Sequence, residues 1–213
     1  MKKLKKEKTN KSRLIKIGSF LLIILCSLMI VNEMQRKHKI QEVNEDLLIE
    51  FFEEQETIQT KEEVSEEPVI EEKKEVQVNQ EKYLGVLEIK KINLTRGLYK
   101  KESINNNENK NIKLLKESDM PDKENGNVII AGHSGNSYVS FFRKLPILVV
   151  GDEAIIHYEG KSYIYSLTKK YEIEKTGTAH IVRSKKISTL TLITCKHNTN
   201  KQLVFIFELK NIE

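Results

Sequence analysis

A short apolar segment close to the N-terminus constrains the rest of the chain more than any other feature. Residues 17–31 are almost entirely apolar, and a cluster of Lys and Arg precedes them within residues 2–13. A bilayer span needs about 20 apolar residues. Leu14 and Ile15 can be added to the segment, because Lys16 can extend its ammonium to the headgroups. We therefore predict a basic tail over residues 1–13 and a transmembrane anchor over residues 14–32.

A cleaved secretory signal peptide is the competing interpretation, since it also joins a basic start to a shorter apolar core. Residues 32–39 contain no small-x-small cleavage site, which favours a retained anchor. Basic residues collect on the cytoplasmic side of a span. The N-terminal cluster outnumbers Arg36, Lys37 and Lys39. We expect a single-pass protein with a cytoplasmic N-terminus and an extracellular domain.

The overall basic charge belongs to this anchor. The chain has 36 basic and 31 acidic residues, a formal charge of +5. Residues 1–40 hold 11 of the basic residues and two of the acidic ones, a local +9, which leaves −4 for the remainder. Membrane topology explains the positive charge, so a nucleic-acid partner is not expected.

Residues 33–81 read as a stalk. Ile40, Val43, Leu47, Leu48 and Phe51 recur at helical spacing, which predicts an amphipathic helix over residues 40–52. The chain is then rich in Glu up to residue 81. Such a segment buries too little apolar surface to fold and repels itself, so we expect a disordered tether.

The region 82–213 has the length of one domain and consists of short β-rich runs separated by turn signals. A continuous apolar run at residues 127–131 predicts a strand buried on both faces. Glu159–Gly160 predicts the two-residue turn of a hairpin. We predict an all-β barrel with short helical insertions. These are one or two helical turns within residues 112–117 and a short helix or turn over residues 141–145, which Pro146 is expected to end. The predicted strands are residues 83–89, 92–99, 127–131, 154–158, 161–166, 171–175, 188–195 and 202–209.

Cys195 ends an apolar strand and is the only cysteine outside the predicted anchor, which contains Cys26. Exported thiols are usually paired in disulfides, so a lone one is either a buried apolar residue or a reactive group. A thiolate can attack a peptide carbonyl, form a covalent intermediate and leave again. A free thiol is mostly protonated at neutral pH, so a nearby imidazole is needed to activate it. His133, just beyond the strand at residues 127–131, is the candidate.

Three segments together resemble the sortases, the membrane-anchored cysteine transpeptidases of Gram-positive surfaces. They are Tyr-Leu-Gly-Val-Leu-Glu-Ile-Lys-Lys-Ile-Asn-Leu from Tyr83, Asn-Val-Ile-Ile-Ala-Gly-His-Ser from Asn127 and Thr-Leu-Ile-Thr-Cys ending at Cys195. The resemblance runs from about residue 82 to the C-terminus. It implies an eight-stranded barrel in which His133 and Cys195 are catalytic.

The sequence departs from the family pattern after the cysteine. Sortases typically carry an arginine there, before a Leu-Val-type run, that steadies the substrate carbonyl or its oxyanion. Here Gln202 matches that position, with Lys201 beside it. Neighbouring strand residues face opposite sides, so only one of the two can point into the site. Arg96 and Arg143 are further candidates for the missing role, and the sequence does not choose among the four.

The remaining histidines are expected outside the chemistry. His197 is too close to Cys195 along the chain for a proton relay across an open groove, and His38, His157 and His180 read as surface or strand residues. No His/Cys/Asp spacing resembles a metal site, and no cofactor is expected.

The resemblance implies cleavage of a C-terminal sorting signal of the Leu-Pro-x-Thr-Gly kind in surface proteins. A thioester on Cys195 would pass the acyl group to an amine of a peptidoglycan precursor or to another amine. A cysteine protease, in which water resolves the thioester, is a variant of this function. A catalytically weak or inactive domain that only binds surface proteins or wall peptides is the alternative, because the arginine is missing.

Overall fold

The computed structural model describes residues 2–63 and 81–213. The chain divides into two compact units, Met1–Val43 and Asn44–Glu213. One helix, α1 (Lys2–Glu63), contributes residues to both units. The helix predicted over residues 40–52 is thus part of a longer one, and residues 64–80 of the predicted acidic tether lie outside the described part of the chain.

The first unit carries the apolar segment. From Phe20 to Val31 the side chains of α1 are exposed on all sides of the helix. Within Gly18–Thr57 the helix has an 18-residue window with a mean hydropathy of 1.6. A helix that is apolar all round and long enough to cross a bilayer has the character of a transmembrane anchor.

The second unit contains the β-sheet. Its strands are β1 (Gly85–Ile89), β2 (Leu94–Leu98), β3 (Lys113–Leu114), β4 (Asn127–Ala131), β5 (Glu153–Tyr158), β6 (Lys161–Glu174), β7 (Thr189–Cys195) and β8 (Lys201–Ile212). Two short 3-10 helices, Lys90–Ile92 and Leu145–Ile147, interrupt the connections.

All eight strands form one sheet in the order β2-β1-β5-β6-β8-β7-β4-β3. Neighbours are antiparallel except β4 and β7, which are parallel. The sheet curls into a nearly closed barrel around an apolar core in which Leu87, Ile130, Tyr165 and Phe205 are fully buried. The predicted eight-stranded barrel is confirmed.

A buried polar cluster supports the parallel pair. Asn127 Oδ1 accepts hydrogen bonds from Thr189 Oγ1 at 2.9 Å and from Thr191 Oγ1 at 2.8 Å. These side chains are almost fully buried. The hydrogen bonds satisfy polar groups whose burial would otherwise cost free energy. The cluster therefore links the start of β4 to β7.

The part of α1 in the second unit packs on the barrel. Leu47 and Phe51 are buried, with 3% and 5% of their surface exposed. Asn44 Oδ1 accepts a hydrogen bond from Tyr83 Oη at 3.0 Å, and its amide donates to the Thr95 carbonyl. Burial of this apolar stripe makes residues from Asn44 onward part of the folded domain.

Several predicted elements need correction. Residues 112–117 contain the short strand β3 and no helix, because Lys113 and Leu114 pair with Ala131 and Ile130. Residues 141–144 form a turn, one of the two predicted forms, and the 3-10 helix Leu145–Ile147 that follows includes Pro146, which was expected to end the element. The strands predicted at 161–166 and 171–175 form one strand, β6, whose register against β8 shifts between Leu167 and Lys169. The hairpin turn is confirmed, with positive φ at Glu159 and Gly160.

Replacing Phe51 with alanine tests the packing of α1. The change removes a buried aromatic side chain, so we expect the free energy of unfolding to fall by about 3 kcal/mol. Denaturant unfolding of the full chain in detergent measures it.

Phe52→Ala is the matched control, because Phe52 is 38% exposed and should cost clearly less. Equal effects of the two substitutions would contradict the packing described here.

Candidate active site

The parallel pairing of β4 and β7 determines where His133 and Cys195 lie. The ladder pairs Ala131 with Ile193, and each candidate residue lies two positions beyond that pair. Parallel strands end at the same edge of a sheet, so both residues emerge at one edge. Both are half-buried, and Cys195 is a free thiol.

Reciprocal hydrogen bonds join the two segments beyond the ladder. The Gly132 amide donates to the Ile193 carbonyl at 3.1 Å, and Thr194 Oγ1 donates to the Gly132 carbonyl at 2.7 Å. Ser134 Oγ donates to the carbonyl of Cys195 itself. Ser134 and Thr194 are buried. The residues flanking His133 are thus tied to the backbone of Cys195 and of the residues before it.

Glycine at position 132 is required by close packing. A Cβ there would lie 2.9 Å from the ring of Phe142, below any ordinary contact distance. The Phe142 amide donates to the His133 carbonyl at 2.9 Å, so this ring lies directly under the histidine segment. The backbone of Gly132 is not in the positive-φ region, so the close approach of Phe142 is the reason for the glycine.

A loop between β2 and β3 supplies polar neighbours for His133. Nε2 of His133 lies 3.3 Å from Asn109 Oδ1. When Nε2 carries the proton it donates to this oxygen, which leaves Nδ1 as the free nitrogen. Asn109 can therefore hold the ring in one orientation.

Glu108, next to Asn109, brings a negative charge. Its Oε2 lies 3.1 Å from Lys113 Nζ. Partial burial acts to raise the pKa of the Glu108 carboxyl, but hydrogen bonds from its own backbone and from Lys113, aided by the charges of Lys113 and His133, bring that pKa below the usual value. The carboxylate is therefore ionised at neutral pH and close enough to His133 to interact with it.

A groove of about 820 Å³ lies along this edge of the barrel. Its floor includes Ile129 and Ala131 of β4 and Ile193 of β7, and one wall includes Glu108. The β6–β7 connection supplies Gly177, Thr178, Ala179 and Ile181 on the other side. Alternate strand residues share a face, so the Cys195 side chain lies on the same face as Ile193. The volume falls in the range of small-molecule and peptide pockets.

Gln202 and Lys201 lie on opposite faces of β8. Gln202 lines the groove and is paired directly with Cys195 across β7 and β8. Lys201 Nζ instead lies 3.6 Å from Glu172 Oε2 and 3.9 Å from Glu174 Oε1, two residues of β6. Of the two residues left open by the sequence, Gln202 is the one beside the thiol.

The two candidate arginines do not line the groove. Arg96 is only 8% exposed, and its Nε donates to Asn111 Oδ1 at 3.0 Å while its guanidinium stacks 4.0 Å from the Phe141 ring centre. Asn111 also donates to the Gly97 carbonyl at 2.7 Å. Arg96 therefore links β2 to Asn111, just before β3, and to Phe141 in the loop after β4. Arg143 is exposed to solvent.

The other histidines lie, like His133, outside the set of residues that line the groove. His157 contacts Glu88 and Ser162 at 3.2 Å and 3.0 Å, and His38 contacts Glu42 on α1. His180 and His197 are exposed loop residues. Within residues 2–63 and 81–213, no group of three His, Cys, Asp or Glu side chains could hold a metal ion.

Three residues of this site were missed by the sequence analysis: Glu108, Asn109 and Ser134. The first two lie in an Asn-rich loop whose only signal was polarity, and the contact of Asn109 with His133 spans 24 residues. Ser134 was part of the quoted motif, so its position beside His133 was a usable signal.

Replacing Ser134 with alanine leaves the Cys195 carbonyl without its hydroxyl donor. We expect the free energy of unfolding to fall by about 1–2 kcal/mol and amide exchange of residues 193–196 to quicken. Ser134→Thr, which keeps the hydroxyl, should restore both.

Ser137→Ala is the control, since Ser137 pairs only with Ser140 on the exposed part of the same loop. Unchanged exchange at residues 193–196 in Ser134→Ala would show that this bond does not hold Cys195.

Comparison with known proteins bears on this site. The family model described as "Sortase domain" matches residues 87–209, more than half of the chain. Among curated proteins, no sequence matches significantly.

Solved sortase structures share the fold. A Clostridium perfringens sortase D5 transpeptidase has a TM-score of 0.57 and 22% identity over 80% of this chain and 99% of its own. Listeria monocytogenes sortase A has a TM-score of 0.51 and 21% identity over 62% of this chain and 89% of its own. A lid mutant of Corynebacterium diphtheriae sortase A has a TM-score of 0.56 and 18% identity over 65% of this chain and 75% of its own. With the family model matched across the barrel, this chain belongs to the sortase family and is a cysteine transpeptidase of that general kind.

Proposed function

We propose that this protein cleaves a C-terminal sorting signal of the Leu-Pro-x-Thr-Gly kind and transfers the released acyl group to an amine of the cell wall. Cys195 is the nucleophile and His133 the acid and base. The domain acts outside the cell, held by its N-terminal helix. The observation that carries the proposal is the shared edge of β4 and β7, where the candidate nucleophile and base emerge beside a peptide-sized groove.

In the first half-reaction the Cys195 thiolate attacks the carbonyl carbon of the scissile Thr–Gly bond. The new C–S bond gives a tetrahedral oxyanion. When it collapses, the C–N bond breaks and the leaving amine takes a proton from the His133 imidazolium. The product is a thioester on Cys195 and a free Gly-terminated fragment.

In the second half-reaction an amine attacks the thioester carbonyl. His133 accepts a proton from this amine, the C–S bond breaks, and the Cys195 thiolate is regenerated. The net result is one amide bond exchanged for another. Water in place of the amine gives hydrolysis, so the outcome depends on which nucleophile reaches the thioester first.

Gln202 is the candidate oxyanion donor. It lines the groove and is the cross-strand partner of Cys195. Its amide has N–H donors but lacks the charge and the rigid fork of a guanidinium. Lys201 is engaged by Glu172 and Glu174, so it is poorly placed for this role.

A weak or inactive domain that only binds surface proteins or wall peptides is the second candidate. Gln202 at the expected arginine position is the observation that favours it. Such a domain would bind a sorting peptide in the groove without breaking its Thr–Gly bond.

Replacing Cys195 with alanine tests the proposed reaction. The full chain is incubated with a Leu-Pro-x-Thr-Gly peptide and triglycine, and chromatography with mass detection follows cleavage and the transferred product. We expect the parent chain to form both and Cys195→Ala to form neither, because the variant lacks the proposed nucleophile and the only other cysteine, Cys26, lies in the apolar segment of α1.

The matched control is Cys26→Ser, which removes the other cysteine, in the apolar segment of α1, and should keep full activity. Transfer by the Cys195→Ala variant would contradict the proposal. A parent chain that binds the peptide without cleaving it would favour the second candidate.

Substitutions at Gln202 test the oxyanion role. Removing one oxyanion donor costs about a hundredfold, so Gln202→Ala should lower kcat/KM by roughly that factor. Gln202→Arg should raise kcat by about tenfold, because charged donors form stronger hydrogen bonds. Steady-state rates with the same peptide measure both.

Lys201→Ala is the control and should leave the rates nearly unchanged. Comparable losses in Lys201→Ala and Gln202→Ala, or none in Gln202→Ala, would show that another group serves the oxyanion.

A further inference from the structure

The loop from the 3-10 helix Leu145–Ile147 to β5 exposes an apolar tip. Ile147, Val149 and Val150 are 58%, 51% and 66% exposed. Leu145 and Leu148, which alternate with them, are fully buried. A contiguous exposed apolar patch is a candidate interaction surface.

The tip is held rigidly. The Val149 amide donates to Asp152 Oδ2 at 2.7 Å, and the Gly151 amide donates to the Leu167 carbonyl at 2.8 Å. Lys170 Nζ donates to the Leu148 carbonyl at 2.8 Å. The apolar side chains are therefore fixed outward with little conformational entropy left to lose on binding.

Basic residues surround the tip. Besides Lys170, Lys144 Nζ reaches the Ile92 carbonyl at 3.5 Å, and Lys91 pairs with Asp152 at 2.8 Å. Lys90 is an exposed neighbour of Lys91. Asp152 faces this cluster and pairs with Lys91, and the neighbouring Glu153 pairs with Lys210, so the lysines still outnumber the carboxylates. An apolar tip framed by cations matches an anionic bilayer surface, which takes up apolar side chains and attracts lysines.

The tip also lies at the end of the barrel where the folded unit begins, at Asn44. β1 ends and β5 begins at this end, because Glu88 pairs with Ile155 in an antiparallel ladder. Asn44, the first residue of the folded unit, bonds to Thr95, which pairs with Glu88. From there α1 runs along the barrel, and its residue Phe52 packs against His157, which pairs with Val86 nearer the other end.

We propose that Ile147, Val149 and Val150, with their flanking lysines, form a second contact with the bilayer that carries the anchor. The contact is independent of the chemistry at Cys195. The pairings of β5, β6, β8 and β7 bring Glu153, just after the tip, level with Thr189 at the start of β7.

Site-specific quenching tests the contact in the full chain. A Cys26→Ser, Cys195→Ala background receives one new cysteine, Val150→Cys or Lys161→Cys, which is labelled with a fluorophore. Lys161 is exposed at the β5–β6 turn, at the opposite end of the barrel. Each protein is reconstituted through its own helix into vesicles that contain a spin-labelled lipid quencher, with phosphatidylcholine alone or mixed with phosphatidylglycerol.

We expect quenching at position 150 to exceed that at position 161 by about twofold or more in anionic vesicles, and to weaken without phosphatidylglycerol. Adding Val149→Asp should reduce quenching at position 150, with the circular dichroism unchanged. Equal quenching at the two positions would overturn the proposal. A change in the fluorescence at position 150 that depends on protein concentration and not on lipid would also overturn it. A second copy of the protein, and not the bilayer, would then cover the tip.

Discussion

The parallel pairing of β4 with β7 is the interaction on which the rest of the site depends. It is the one parallel pair in the described sheet, and its register carries Ala131 level with Ile193. Two segments about sixty residues apart in sequence therefore end at the same edge, one followed by His133 and the other ending in Cys195. The buried Asn127 cluster at one end of the pair and the Ser134 bond at the other hold this register. A shift by one residue would turn Cys195 to the opposite face.

The sequence predicted the elements with the strongest signals. β4 is a continuous apolar run, β7 alternates Thr with apolar residues, and the Glu159–Gly160 turn requires positive φ, so all three were found. β3 was missed because two residues cannot show a period, and it exists only through pairing with β4. β6 was divided in two because its register shift near Leu167 interrupts the alternation of apolar residues.

The site could be predicted only in part for a similar reason. Motifs gave His133 and Cys195, since each follows or ends an apolar strand. The choice between Lys201 and Gln202 required the β7–β8 register, which pairs Gln202 with Cys195 and turns Lys201 toward Glu172. Asn109 and Glu108 reach His133 through loop geometry, which depends on the whole barrel and leaves no periodic trace in the sequence.

The most direct test of the account is the covalent state of Cys195 during reaction. The full chain is mixed with the sorting peptide in the absence of an amine, quenched in acid, and examined by intact mass and peptide mapping. The account predicts a mass increase equal to the acyl fragment, located on Cys195 and released by hydroxylamine. A chain that cleaves the peptide while Cys195 never carries the fragment, or carries it at another residue, would contradict the account.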